Sequence, residues 1–230
     1  MKNLSSLILA GFAAFSSPLA AQTPVVVELF TSQGCSSCPP ADELLHELTE
    51  RDDVIALALH VDYWDYIGWK DEFASPEHSD RQRNYARVAG RRSVYTPQMI
   101  INGIESVVGA RPMELSKAIA EATAKPPMVD LNVALDAGVL KVSATTDQRG
   151  KPMVVHLVRY QTEREARITR GENAGRTINY ANVAEDWKIL REWDGAAALF
   201  VEAPIEGDNP LVVMIQEGRS GPILAAAQVK

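Results

Sequence analysis

The sequence predicts an α/β unit of order β-α-β, α, β-β, α over residues 22–125, followed by an all-β antiparallel sandwich or barrel over 126–230. Three observations predict it. A β-branched run, Val25-Val26-Val27-Glu28-Leu29-Phe30, leads through Cys35-Ser36-Ser37-Cys38 into a stretch where Ala41, Leu44, Leu45 and Leu48 recur at helical spacing. Asn102-Gly103 between two apolar runs is the strongest short hairpin signal. After Lys125-Pro126-Pro127-Met128, helical periodicity gives way to alternation.

Residues 1–21 open on Met1-Lys2-Asn3, continue as an apolar, Ala-rich run and end in small residues. This reads as a secretory signal peptide cut near Ala20 or Ala21. The apolar run is shorter than the roughly 20 residues a membrane-spanning helix needs, so the mature chain is not expected to insert in a membrane. The expected location is the periplasm or the medium, where an oxidising setting lets a disulfide persist. A formal charge of −7 argues against a nucleic-acid partner.

Cys35 and Cys38 are the chain's only cysteines. At the start of a helix, the dipole favours a thiolate, the reactive form of the thiol. Cys35 is the candidate nucleophile and Cys38, one turn in, the resolving thiol. Pro39 and Pro40 suit a first turn, where a missing N–H costs least. Two plainer readings stand beside this: a structural disulfide, or half of a zinc site. The zinc reading lacks a second Cys-x-x-Cys or a close His pair.

A second buried strand over 53–61 follows the first helix, and a right-handed β-α-β unit brings both strand ends to one edge. The next residues should therefore lie near Cys35. They include Tyr63, Trp64, Tyr66, Trp69 and Phe73, mixed with acids, a composition suited to gripping a polypeptide or shielding a disulfide; a core plug through Trp64 and Trp69 is the plainer alternative. Ser75-Pro76 opens a helix stopped by Gly90, with Arg83, Arg87 and Arg91 along one face as a solvated stripe. Tyr95-Thr96-Pro97-Gln98 leads into the hairpin, and a helix follows over 111–124.

The element order, the Cys-x-x-Cys opening the first helix and Thr96-Pro97 before the hairpin together resemble the thioredoxin-like fold. The resemblance implies a cis Pro97 facing the cysteines, with Thr96 contacting a bound peptide. It also implies an acid in the first strand that moves protons, a role that falls to Glu28, seven residues before Cys35 rather than the usual six. More specifically, the stretches from Glu28 to Asp42, His60 to Asp65, Tyr95 to Gln98 and Arg170 to Thr177 are similar to the secreted bacterial family called domain of unknown function 1223. That family name implies fold and export and no reaction.

Beyond residue 126, alternation predicts about eight short strands, over 129–135, 139–145, 153–160, 166–170, 177–190, 197–201, 211–216 and 223–229. Gly171-Glu172-Asn173-Ala174-Gly175 reads as a turn between two of them; it has no phosphate-loop lysine. This half is expected to be an accessory module without chemistry of its own.

The expected function is thiol–disulfide exchange on protein or small-molecule thiols, with Cys35, Cys38, Pro97 and Glu28 catalytic and Thr96, Trp64 and Tyr63 holding the partner. Its partners would be protein thiols or disulfides and a membrane redox protein, with no cofactor beyond the disulfide. The alternative is Cu(I) handling by Cys35, Cys38 and His60, with Asp62 behind, since thiolates select soft Cu(I). A third reading is a non-catalytic module whose disulfide pins the helix start. Neither a Cys-His-Asn arrangement nor a serine elbow is present to support a hydrolase.

Overall fold

The computed structural model describes residues 23–229. The expected signal peptide lies outside them.

β1 (Val25–Thr31) and β2 (Val54–His60) are buried along their whole length and pair in parallel, joined by α1 (Pro39–Thr49). Runs this apolar on both faces form only where layers cover them on each side. α2 (Pro76–Val88) starts at Ser75, whose hydroxyl accepts from Glu77 N. β3 (Gln98–Ile101) pairs antiparallel with β1 and with β4 (Glu105–Val108). Asn102 and Gly103 both take positive φ, as a tight type I′ hairpin turn requires. α3 (Pro112–Thr123) completes this half.

Seven strands follow: β5 (Val129–Asp136), β6 (Val139–Thr146), β7 (Met153–Arg167), β8 (Thr177–Trp193), β9 (Leu199–Pro204), β10 (Leu211–Glu217) and β11 (Ile223–Val229). They do not form a domain of their own. Eight strands make one mixed sheet in the order β11-β10-β7-β8-β2-β1-β3-β4, and β5-β6-β9 make a second. The expected thioredoxin-like α/β domain followed by a separate all-β sandwich or barrel is therefore corrected: the chain is mostly β, with three α-helices among the described residues, built on a sheet that both halves share.

The physical reason lies at β2 and α2. β2 is buried on both faces, and its free edge is covered by β8, paired in parallel at Ala58 and Val183, with Asn182 Nδ2 donating to Ala56 O. The buried side of α2 is polar, carrying His78, Ser79, Arg81, Gln82 and Tyr85, so it cannot cover the apolar face of β1 and β2 alone. Val158, Tyr160, Val212, Met214 and Ile223 from the second half complete that core with Val26, Phe30, Ile55, Leu57 and Leu59. Another core lies between the two sheets, from Leu140, Val142 and Val201 to Val155, Val213 and Leu224.

The large sheet curls until the β10–β11 turn meets the β3–β4 turn, where Ile223 N donates to Asn102 O at 2.9 Å. Gly103 makes this closure: its φ is +71, and a Cβ there would lie 2.4 Å from Gly221 O. Gly103→Ala is expected to cost about 2 kcal/mol, from left-handed strain and backbone overlap, read as a lower urea midpoint at unchanged m-value. An unchanged midpoint would mean that the two turns part freely.

Candidate functional site

The turn between β1 and α1 carries the cysteines, which are joined as a disulfide. Both are covered, Cys35 at 1% exposure and Cys38 at 0%, while Ser36 and Ser37 between them face solvent. Pro39 and Pro40 have no N–H, and the N–H groups of Ala41 and Asp42 donate to Cys38 O. The start of α1 thus offers a sulfur its dipole while these four residues leave no spare donor.

Beneath the disulfide lies a buried polar group. Asp42, one turn beyond Cys38, accepts from Thr31 Oγ1 at 2.7 Å, and burial pushes its carboxyl up to about 7 against the pull of His60 and Thr31. Burial also raises Asp71, but His60 and the donors around it outweigh that and hold its carboxyl below the usual range. An ionised Asp71 only accepts, so His60 Nδ1 carries the proton it donates, at 2.7 Å. The same Asp71 oxygen accepts from Gln33 N at 2.8 Å, linking His60 to the cysteine loop. Tyr180 of β8 packs edge-on against the His60 ring at 4.6 Å, and burial raises its hydroxyl far above the usual value.

Among the described residues, six buried side-chain polar atoms have no partner: Gln33 Nε2, Asp42 Oδ2, His60 Nε2, Asn173 Oδ1, Tyr180 OH and His156 Nε2. All but the last belong to this neighbourhood. Buried unpaired polar groups are expensive, so their gathering in one place marks a site shaped by something other than stability.

Two loops close over the cysteines. In the first, Trp64 Nε1 donates to Thr96 Oγ1 at 2.7 Å, and Trp64 Cβ and Ile67 Cδ1 lie 3.2 Å from where a Cβ on Gly34 would stand. Tyr63 OH donates to Gln82 Oε1, and Tyr66, 81% exposed, stacks on Trp64. Trp69 Nε1 reaches Gln33 Oε1 at 2.7 Å. The second loop is the β7–β8 turn, whose Asn173 Nδ2 donates to both Gln33 O and Cys35 O at 2.9 Å.

The profile of the family described as "Protein of unknown function (DUF1223)" matches residues 26–216. The chain belongs to the DUF1223 family. A crystal structure of protein AGR_C_4864 from Agrobacterium tumefaciens is 30% identical to this DUF1223 chain, covering 89% of it and 93% of its own length at a TM-score of 0.76. HBP35 of Porphyromonas gingivalis is 16% identical, covering 90% of this chain and 75% of its own, with a TM-score of 0.61, a likeness of fold alone. No curated protein matches the chain.

In this DUF1223 member the structure sorts the residues singled out above. Trp64 and Thr96 are bonded to each other beside the cysteine loop, and the Thr96–Pro97 peptide is cis. Glu28 is elsewhere. It faces the opposite side of β1 from α1, where Arg81 Nε donates to it at 2.6 Å and Tyr85 OH at 2.6 Å. The buried acid on the α1 side is Asp42. Cys35 and Cys38 are joined and His60 Nδ1 is bonded to Asp71, and among the described residues no group of three or more His, Cys, Asp or Glu is arranged to hold a metal. Arg83, Arg87 and Arg91 bond to Asp80, Asn84 and Ser106 at the surface.

Asp42, Asp71 and Asn173 went unseen in the sequence. Asp42 stood only at the end of a stretch that resembled the family, and Asp71 only among the acids of the aromatic loop. Asn173 had a signal, since it lies in a two-glycine turn inside a stretch that resembled the family.

Proposed function

We propose that this chain carries out thiol–disulfide exchange through Cys35 and Cys38, on protein or small-molecule thiols, in the periplasm or outside the cell. One observation carries the reading: the two cysteines are joined at the start of α1, with the buried Asp42 carboxyl one turn along the same helix. In this reading a partner thiolate attacks Cys35 Sγ. A new S–S bond forms, the Cys35–Cys38 bond breaks, and Cys38 leaves with the electron pair. Cys38 then takes one proton, for which Asp42 is the nearby acid titrating close to neutrality. In reverse, Cys38 gives up its proton, attacks the mixed disulfide and releases the partner thiol. The leader-like residues 1–21 support an exported setting, and the aromatic loop with Thr96 and Pro97 supports docking of a peptide.

The test is equilibration with glutathione buffers, carried to completion, followed by alkylation and mass measurement. A reversible transition above about −250 mV is expected, the range in which an exported disulfide exchanges. Cys38→Ser should accumulate mixed disulfides on Cys35. A pair that stays oxidised at equilibrium in strong reductant would leave a structural bridge in place of this function. In a parallel arm, Cu(I) that protects the reduced thiols from alkylation would point to copper handling.

A further inference from the structure

Asn173 lies in the turn between β7 and β8, far from the cysteines in sequence, yet it is buried against them at 1% exposure. Both hydrogens of its amide are used on one short stretch, donated to Gln33 O and Cys35 O. The turn is pressed down by Gly171, where a Cβ would stand 3.3 Å from Trp69 Cβ. Trp69 in turn donates to Gln33 Oε1, and Trp64 and Ile67 close the other side over Gly34. The cysteine loop is therefore held from two directions, with neither cysteine more than 1% exposed. A thiolate must reach the sulfur it attacks; a sulfur this covered is not reachable until something moves.

We propose that Asn173 is a latch: it holds the Cys35 loop shut and so limits how fast any thiol, free glutathione included, reaches the disulfide until the 168–176 turn releases it. This rests on the exchange reading above. The bond changes stay those already given, and Asn173 touches no sulfur. It is a positioning residue acting through the carbonyls of Gln33 and Cys35, and it sets how often Cys35 becomes accessible. The second half of the chain thereby controls a disulfide carried by the first.

The oxidised full chain is reduced with rising concentrations of glutathione, and the rate is followed by alkylation and mass. In the wild type the rate should level off at a ceiling set by opening. Asn173→Asp keeps the size of the side chain, removes both donated hydrogens and turns an anion toward two carbonyl oxygens. It should raise the ceiling about tenfold, the size expected for losing two neutral hydrogen bonds, and Asn173→Ala should do likewise. Val201→Ala, in the core between the sheets, should lower overall stability and leave the ceiling where it was. A wild-type rate that stays proportional to glutathione, or an equal rise in Val201→Ala, overturns the latch. Reversible reduction at one common rate in every variant removes the latch alone, whereas no reduction in any variant at equilibrium removes the exchange reading as well.

Discussion

Arg81→Ala is expected to destabilise the fold by about 3–5 kcal/mol, the usual consequence of leaving a buried charge without its partner. Arg81 donates from Nε and Nη2 to the two oxygens of Glu28 at 2.6 and 3.2 Å, from Nη1 to Gln216 Oε1 at 3.1 Å and from Nη2 to Tyr85 OH at 2.6 Å. Its guanidinium also lies over the rings of Tyr85 at 4.8 Å and Trp187 at 4.2 Å. The cluster ties β1, α2, β8 and β10 together, and Glu28 has no exposure through which water could replace the lost cation. Replacing both charges, as Glu28→Gln with Arg81→Met, should recover part of the loss because no bare charge remains. Urea unfolding measures both variants. A loss under about 1 kcal/mol in Arg81→Ala would show that Glu28 finds another partner.

Asp42→Asn is expected to stabilise the protein at alkaline pH and to leave it nearly unchanged in acid. An ordinary aspartate titrates near 3.8, and burial puts Asp42 at about 7. Between those values the folded chain holds a proton that the unfolded chain has released. The stability tied to that proton is complete below about pH 4 and is lost as pH rises through about 7. At about 1.4 kcal/mol per unit this amounts to roughly 4 kcal/mol. Asparagine has no such titration, and its amide oxygen keeps the acceptor that Thr31 Oγ1 uses. His78 and His156, which burial lowers to about 4 and about 3, lose their contribution in the opposite sense as pH falls below about 6.5. They titrate in both proteins, so the difference between variant and wild type isolates Asp42. A difference that stays flat from about pH 4 to about pH 8 would place the Asp42 proton elsewhere. The same variant should lose the inflection near neutrality in the pH profile of thiol exchange.

Local pattern made much of the first half legible. Val25 to Phe30 and the run ending at His60 are strands because β-branched and leucine-rich runs of that length favour a covered sheet, and Asn102-Gly103 forms its turn because both residues accept positive φ. The alternation after residue 126 read as strands, although the runs expected separately over 153–160 and 166–170 are joined in the single strand β7, which ends at Arg167, and the pattern says only that a strand has an inside and an outside. It does not say against which layer the inside lies. Val158 and Val155 face different cores, although they sit on one strand.

Glu28 shows the same limit at the level of a single residue. In sequence it was an acid inside a strand near the cysteines, a position compatible with either face. Strand parity puts it on the face away from α1, where Arg81 arrives from α2 and Gln216 from β10. Asp42 meets His60 and Tyr180 only because β2 and β8 lie side by side.

By itself, then, the sequence determined the elements that short-range forces decide: the strand before the cysteines, the helix after them, the hairpin turn and the alternating strands of the second half. Only the tertiary structure decided that both halves share one sheet, that the buried acid beside the disulfide is Asp42, and that Asn173 closes over Cys35. The reason is physical. Propensity and periodicity act over a few residues, whereas covering the edge of β2 and pairing a buried amide depend on which distant segment offers the complementary surface.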